Sequence, residues 1–376
     1  MTGINLREAL STLADEVGPV DIEARVRHSA RAIRVRRAAA VVAAVVAVVV
    51  AAAVGAAVSL SGPRTQVAPP RHTCAGAAVT LVVPTGGHIG DRVAIDPTGN
   101  FVVSGNVLWH DGEPSLIGDS SSLMATAVSA SGDIAGHDGN DAWALVGGTM
   151  VQLAPLAGYT TIVVPTSINV ADYVVGTVEG FDGSAAVLWS ASGSAPRKLT
   201  YGGPDQRGDT AAYAMDESGM IVGSADNGPV TNPGHHVYPY TWGYQGRGTG
   251  LALPAGMSDG VAVQSAGAWV VGSVTPVDGG AQRGAVLWNL DSGRSTTFPG
   301  LAAVDVDRLG GLLVATGARA TGGPYLLRGG QQVPLAVPAG SDPRAYTAVA
   351  MNTVGDVVVG TSRDGGGNAS VVMWQC

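Results

Sequence analysis

Lysine, phenylalanine and cysteine are scarce in this chain of 376 residues, which has one Lys, 3 Phe and 2 Cys. Charged residues make only 13% of it and aromatic residues 5%. So little charge, with 46% apolar residues, excludes a disordered chain. A net charge of −8 without a long basic run excludes nucleic acid as a partner, because phosphate binding needs a clustered positive field. No Gly-x-Ser-x-Gly elbow is present, and the acidic neighbours Asp216 and Glu217 lack the spacing that acid–base work requires. The sequence therefore predicts no catalytic residue, no cofactor and no enzyme activity. What is abundant is glycine: 55 Gly and 21 Pro are too many for a helical protein and indicate a β-rich body with many turns.

One long apolar run stands apart from that body. Residues 38–60 are 23 residues without a charge, 11 of them Ala and 9 Val. As a helix they would extend roughly 35 Å, enough to cross a bilayer core of about 30 Å. Arg25, Arg27, Arg31, Arg34, Arg36 and Arg37 crowd the N-terminal flank, whereas Arg64 and Arg71 alone follow closely on the other side. The positive-inside rule then puts residues 1–37 in the cytoplasm and the remainder outside the cell. A cleaved signal peptide is the alternative, but signal cores usually have 7 to 15 apolar residues, so the expectation is an uncleaved single-pass anchor.

The cytoplasmic arm, residues 1–37, carries Leu6, Leu10, Leu13 and Val17 at near-helical spacing, then Pro19 and an Arg-rich stretch. Such a pattern resembles the tails of single-pass membrane proteins from high-GC actinobacteria, whose codon bias also accounts for 20 Arg against Lys198 alone. The arm serves as a docking helix for a regulator, as a juxtamembrane helix on anionic lipid, or simply as a basic topogenic flank. Residues 61–73 read as a linker.

Beyond the linker the chain repeats. Short Val-rich runs close on Gly105, Gly136, Gly176, Gly223, Gly272, Gly317 and Gly360, at intervals of 31, 40, 47, 49, 45 and 43 residues. That spacing belongs to propeller or solenoid repeats. Each unit has four runs: a short one ending in a polar turn such as 93–99 or 212–219, the Gly-closed run, a third ending in Trp, and a fourth tending to end near Leu and Pro, as in 251–254 and 333–338. The third-run tryptophans are Trp109, Trp189, Trp242, Trp288 and Trp374, with Val146 and Leu327 expected at that place in units two and six. Seven four-stranded antiparallel units predict an all-β, seven-bladed β-propeller.

The small-residue strand, the Gly-closed Val run and the strand ending in Trp resemble the extracellular HAF-type repeat over residues 92–376. The resemblance implies a fold and brings no catalytic residues. The last unit stops at Cys376 without a fourth strand, while residues 74–84 precede the first unit and have the character of one. Placing them after Cys376 completes the seventh blade of a domain spanning 74–376, removes the open edge and brings Cys74 beside Cys376. Outside the cell the expected result is a disulfide.

Ligand chemistry is sparse. His235 and His236 are the one adjacent histidine pair, in a long second-to-third-strand loop with Asp226, Asn227, Asn232 and Tyr238 nearby. In a four-stranded meander the loops 178–184, 225–237, 274–284 and 362–369 rise on one face, the candidate ligand face. Adjacent histidines point apart, which disfavours a metal site, and Asp305-x-Asp307 lacks the remaining ligands of a calcium loop and reads as a solvated turn. The recurring tryptophans read as packing between blades. The sequence thus predicts a membrane-anchored extracellular module that binds an envelope glycan or protein or serves structurally. The alternatives are a signalling protein working through its arm and an extracellular enzyme acting on a glycan or lactone. The sequence sets no oligomeric state.

Overall fold

The computed structural model describes residue 74 and residues 76–376, apart from residue 119 and the stretches 160–161, 181–182, 192–194, 202–207, 228–234, 278–282 and 316–321. The expectations for residues 1–37, 38–60 and 61–73, and for Asn232 and Gly317, lie outside the described residues. Among the described residues no helix is long and apolar enough to cross a membrane.

Seven four-stranded antiparallel sheets form seven blades, six of them running in chain order from first to fourth strand. Blade 1 comprises Ala94–Ile95, Phe101–Ser104, Val107–His110 and Glu113–Leu116. Blade 2 comprises Leu123–Val128, Ile134–Asp138, Asp141–Val146 and Thr149–Gln152. Blade 3 comprises Ile162–Ile168, Tyr173–Gly180, Gly183–Ser190 and Arg197–Lys198, and blade 4 Thr210–Met215, Ile221–Asp226, Val237–Trp242 and Gly248–Gly250. Blade 5 comprises Met257–Ala266, Trp269–Pro276, Gly284–Asn289 and Arg294–Pro299. Blade 6 comprises Ala303–Val306, Leu312–Val314, Tyr325–Arg328 and Gln331–Pro334. Blade 7 takes Tyr346–Met351, Val357–Arg363 and Ala369–Gln375 from the end of the chain and Val79–Thr80 from the beginning of the domain. Each first strand touches the first strand of the next blade, blade 7 to blade 1 included, so the ring is closed.

The closing strand pairs Val79 with Met373 and Thr80 with Val372, and Leu81 N–H continues the ladder to the Val371 carbonyl at 2.9 Å. Cys74 and Cys376 are disulfide-bonded across 302 residues. In the chain-entropy model a bond closing so long a loop stabilises the fold by roughly 5 kcal/mol.

The core is divided into seven layers, one at each seam between blades. At five seams an indole N–H donates to a backbone carbonyl two residues past the fourth strand of the preceding blade: Trp109 to Val82, Trp189 to Ala154, Trp242 to Thr200, Trp288 to Ala252 and Trp374 to Ala336, at 2.7–2.9 Å. The residue before each acceptor is a leucine, namely Leu81, Leu153, Leu199, Leu251 and Leu335, and it packs in the same layer as that tryptophan. The register places Leu145, not Val146, at the tryptophan position of blade 2, because Leu145 lies opposite Ile134 as Trp189 lies opposite Val174. Leu145 and Ile117 pack against one layer, and Leu327 of blade 6 and Phe298 against another. Where the tryptophan is missing, the leucine of the preceding blade is missing too.

A bulge in the first strand accompanies the recurring glycine in five blades, although blade 6 has the same bulge with Val314 opposite it. In blades 2, 3, 4, 5 and 7 the register slips after Ala125, Pro165, Ala212, Ala262 and Ala348, and the residue opposite each is Gly136, Gly176, Gly223, Gly272 and Gly360. A Cβ at these glycines would lie 1.9–2.3 Å from a first-strand carbonyl oxygen. In blades 1 and 6 the equivalent residues are Ser104 and Val314, so Gly105 and Gly317 are not the counterparts that spacing suggests. There the second strand ends at that residue, whereas past a glycine it continues by two to four residues.

Three substitutions test this account by urea unfolding. Gly223→Ala is expected to cost more than about 3 kcal/mol, since its Cβ meets the Ala211 carbonyl oxygen, while Gly243→Ala, with no atom near, stays within about 0.5 kcal/mol of wild type. Trp189→Phe is expected to cost about 1–3 kcal/mol by removing the indole N–H bond to the Ala154 carbonyl and leaving space beside the buried ring.

Candidate ligand face

In an antiparallel meander the first-to-second and third-to-fourth turns share one end of the ring, here the turn end. Second-to-third loops and the links between blades share the other, the loop end. The turn end is occupied by structure. Asp96, Ser129, Asn169, Asp216, Asp307 and Asn352 each open a first-to-second turn and accept, through a side-chain oxygen, backbone N–H groups two to five residues on. These are self-capping Asx and Ser turns.

Neighbouring turns are also tied to one another. The Glu217 carboxylate accepts the Val170 N–H at 2.8 Å and the Ala130 N–H at 3.4 Å, spanning blades 4, 3 and 2. Arg308 N–H donates to the Thr353 carbonyl at 3.0 Å, and Thr353 donates through N–H and hydroxyl to the Pro97 carbonyl, linking blades 6, 7 and 1. Asp216 and Glu217 are turn neighbours as the sequence suggests, with Glu217 serving as a staple between blades. Asp305 and Asp307 are not a solvated turn: they are 3% and 2% exposed. Asp307 caps its turn and pairs with Arg328 Nε at 3.3 Å, while Asp305 accepts N–H groups from Val306 and from Met351 of blade 7.

The loop end carries the predicted residues. Asp226 ends the second strand of blade 4, Tyr238 lies on the third, and His235 and His236 directly precede the third strand. The adjacent histidines engage different partners. His235 Nε2 lies 3.4 Å from Asp226 Oδ2 within blade 4, whereas His236 Nδ1 lies 3.3 Å from Asp259 Oδ1 on the first strand of blade 5. Asp259 also accepts the Val237 N–H at 2.9 Å and the Ser258 hydroxyl at 2.5 Å. Burial pushes its carboxyl up, but these hydrogen bonds and His236 outweigh burial and hold it below the ordinary carboxylate value. Asp226 in turn accepts the Asp209 N–H at 2.7 Å, and Asp209 accepts the Ser184 N–H of blade 3 at 2.9 Å. The result is a polar band over blades 3, 4 and 5. Among the described residues no three His, Cys, Asp or Glu groups converge to hold a metal ion.

Asp259 and Asp209 escaped sequence reasoning because their partners lie on other blades. Blade 4 also gathers aromatic rings. Tyr238 is 37% exposed, its ring centroid is 6.2 Å from that of His236, and the Tyr240 and Trp242 centroids are 5.4 Å apart further along the same strand. A cavity of about 360 Å³ at the turn end of this blade is lined by Trp242, Tyr244, Arg247 and Ser218 among others. The remaining predicted tryptophans are all buried at seams.

No family model matches the chain, and no curated protein matches it. Among solved structures it is similar to the β-propeller domain of the Trilobed protease from Pyrococcus furiosus, at 10% identity and a TM-score of 0.51, over 76% of this chain and 94% of that one. TolB from Acinetobacter baumannii aligns at 13% identity and a TM-score of 0.39, over 75% of this chain and 62% of its own. Pyrococcus horikoshii acylaminoacyl peptidase aligns at 14% identity and a TM-score of 0.48, over 76% of this chain and 51% of its own. The chain thus spans about three fifths of TolB and half of the peptidase. The first of these likenesses shows a β-propeller fold and nothing more specific.

Burial pushes the Asp305 carboxyl up to about 7, against the opposing pull of the Met351 and Val306 N–H groups. The folded state then holds this proton more tightly than the unfolded chain, whose carboxyl titrates near ~4. Stability contributed here is full below about pH 4, is lost as pH rises toward about 7, and changes no further above that. Relative to Asp305→Asn, the wild-type unfolding midpoint should fall across that window and then level off. A gap between the two that ignores pH would contradict the assignment.

Proposed function

We propose that this protein is a membrane-anchored binding module whose propeller stands outside the cell and reads an envelope component through its loop end. The observation that carries this reading is the Cys74–Cys376 disulfide, which needs an oxidising compartment to persist and follows directly on the linker after the apolar run 38–60. The Arg-rich flank before that run gives the same direction, N-terminus in the cytoplasm and propeller outside. The HAF-type resemblance of the repeats and the actinobacterial style of the arm belong to the same reading. Cys376 follows the third strand of blade 7 at the turn end, so Cys74 enters the propeller there and the loop end lies on the opposite side. Turn-end polar groups are committed to capping, whereas the loop end presents half-exposed His236 and Tyr238 on a rigid support. The module does no chemistry of its own; the rigid ring positions the loops.

The single lysine allows a direct test. Lys198 is exposed, on the fourth strand of blade 3, and the other amine of the chain is its N-terminus. A membrane-impermeant amine-reactive biotin added to intact cells should label Lys198 of membrane-associated protein and leave the N-terminal amine unlabelled until lysis. Labelling that survives Lys198→Arg in intact cells, protection of Lys198 before lysis, or recovery of the whole chain in the soluble fraction would overturn the reading.

A further inference from the structure

Of the large aliphatic side chains exposed at the turn end, Val170, Leu290, Leu309 and Val354, the last two are neighbours across a seam. Leu309, on the first-to-second turn of blade 6, is 88% exposed, more than any other large apolar side chain among the described residues, and Val354, on the same turn of blade 7, is 59% exposed. The Arg308 N–H bond to the Thr353 carbonyl, at 3.0 Å, ties these two turns together. In blades 1–4 the residue at the same place, two past the capping side chain, is Thr98, Ser131, Ala171 or Ser218. Turn chemistry favours such small and polar residues, so it does not account for Leu309 and Val354. Val170 stands apart on blade 3, where the Glu217 carboxylate holds its turn.

The chain arrives from the apolar run at the same spot. Cys376 N–H donates to the carbonyl of Asp356, two residues past Val354, at 2.6 Å, so the Cys74–Cys376 disulfide lies beside the blade 7 turn. Only residues 61–73 separate the apolar run from Cys74, and fully extended they span at most about 45 Å. A bilayer that holds residues 38–60 is therefore within reach of the turn end.

Charge is also unequal around this end. Outside the core, blades 1–4 present Asp111, Glu113, Asp133, Asp172, Asp216 and Glu217 there against Arg197 and Arg247. Blades 5–7 present Asp291 and Asp356 against Arg294 and Arg308, while Arg328 is occupied by buried Asp307. Exposed Leu290 extends the apolar arc to blade 5: its N–H donates to the Ala268 carbonyl at 2.8 Å, and the neighbouring Trp269 ring lies against Gly310 of the blade 6 turn.

We propose that the turn end of blades 5–7 rests on a lipid bilayer, with Leu309 and Val354 set among the headgroups, an inference that rests on the membrane-anchored reading above and adds which surface meets the lipid. Aliphatic tips flanked by arginine suit a boundary that is apolar beneath and carries phosphate above. So few side chains hold a free domain weakly, but the tether makes the contact intramolecular, at an effective concentration on the order of millimolar. The acidic turns of blades 1–4 are repelled by the same phosphates, so the ring leans on one arc. The loop end then faces away from the lipid.

The test uses the full chain reconstituted into vesicles of phosphatidylcholine and phosphatidylglycerol that contain no other protein, with or without bromine on the acyl chains to quench nearby tryptophan. Relative to wild type, the emission added by Leu309→Trp, and separately by Val354→Trp, should be largely lost in the brominated vesicles. Val277→Trp, at an exposed position on the loop end of blade 5, should keep its added emission. Emission retained at both 309 and 354, as when a second copy or another protein is the true occupant, or an equal loss at 277, would overturn the proposal. Should the chain float with the vesicles while 309 and 354 stay unquenched, lipid docking falls and the anchored module remains. A chain that does not float with them removes the anchored reading and the docking together.

Discussion

The ring depends on a hydrogen bond repeated at five of its seven seams, from a tryptophan indole on one blade to a carbonyl just past the outer strand of the blade before it. A sheet has two faces to bury, and in a propeller each face can be buried only against a neighbour. Apolar packing alone leaves adjacent sheets free to slide. The indole fixes their relative height, because its N–H is buried and finds a partner at one register only. The leucine that precedes the acceptor fills the space beside the ring, so donor blade and acceptor blade must carry matched residues. Blades 2 and 6 show the constraint by departing from it: with Leu145 and Leu327 in place of the indole, the preceding blades present Ile117 and Phe298. The seam changes as a pair.

The same dependence explains why the ring needs its ends joined. Trp109 of blade 1 requires a carbonyl from a preceding blade, and Val82, two residues past the closing strand, supplies it. That strand is short, with two ladder pairs and the Leu81 bond, and the disulfide holds it at the end where the rest of the chain begins. Closure is therefore a condition for blade 1 to resemble the others, rather than an ornament added to seven finished blades.

Much of this was legible because it repeats. Glycines at 31 to 49 residue intervals, tryptophans ending third runs and an unpaired first segment with a cysteine identify the propeller and its closure. Register was less legible. Spacing assigns Gly105 and Gly317 to the series, but the position is defined by a bulge in another strand, and Ser104 and Val314 hold it. Val146 fits a strand-end pattern, yet pairing with Ile134 selects Leu145. Burial of Asp305 was invisible because its partner, the Met351 N–H, lies 46 residues away on another blade. For the candidate face the situation was mixed: the histidine pair is plain in the sequence, whereas Asp259 and Asp209 join only through the seams.

The division of labour between the two ends follows from the backbone. At the turn end, tight turns leave N–H groups that must be satisfied locally, and the polar residues there are consumed in doing so, from Asp96 to Asn352. Substituting them disturbs the inner strands. At the loop end, each glycine opposite a bulge lets a second strand run on beyond the packed ring, and the residues past it answer to fewer seam constraints. Five of the seven hairpins gain length in this way. Sequence change is cheaper at the loop end than at the turn end, where polar side chains cap the turns. Blade 4 carries this furthest, since its long loop and its paired histidines lie on a blade whose seams on both sides keep the tryptophan latch.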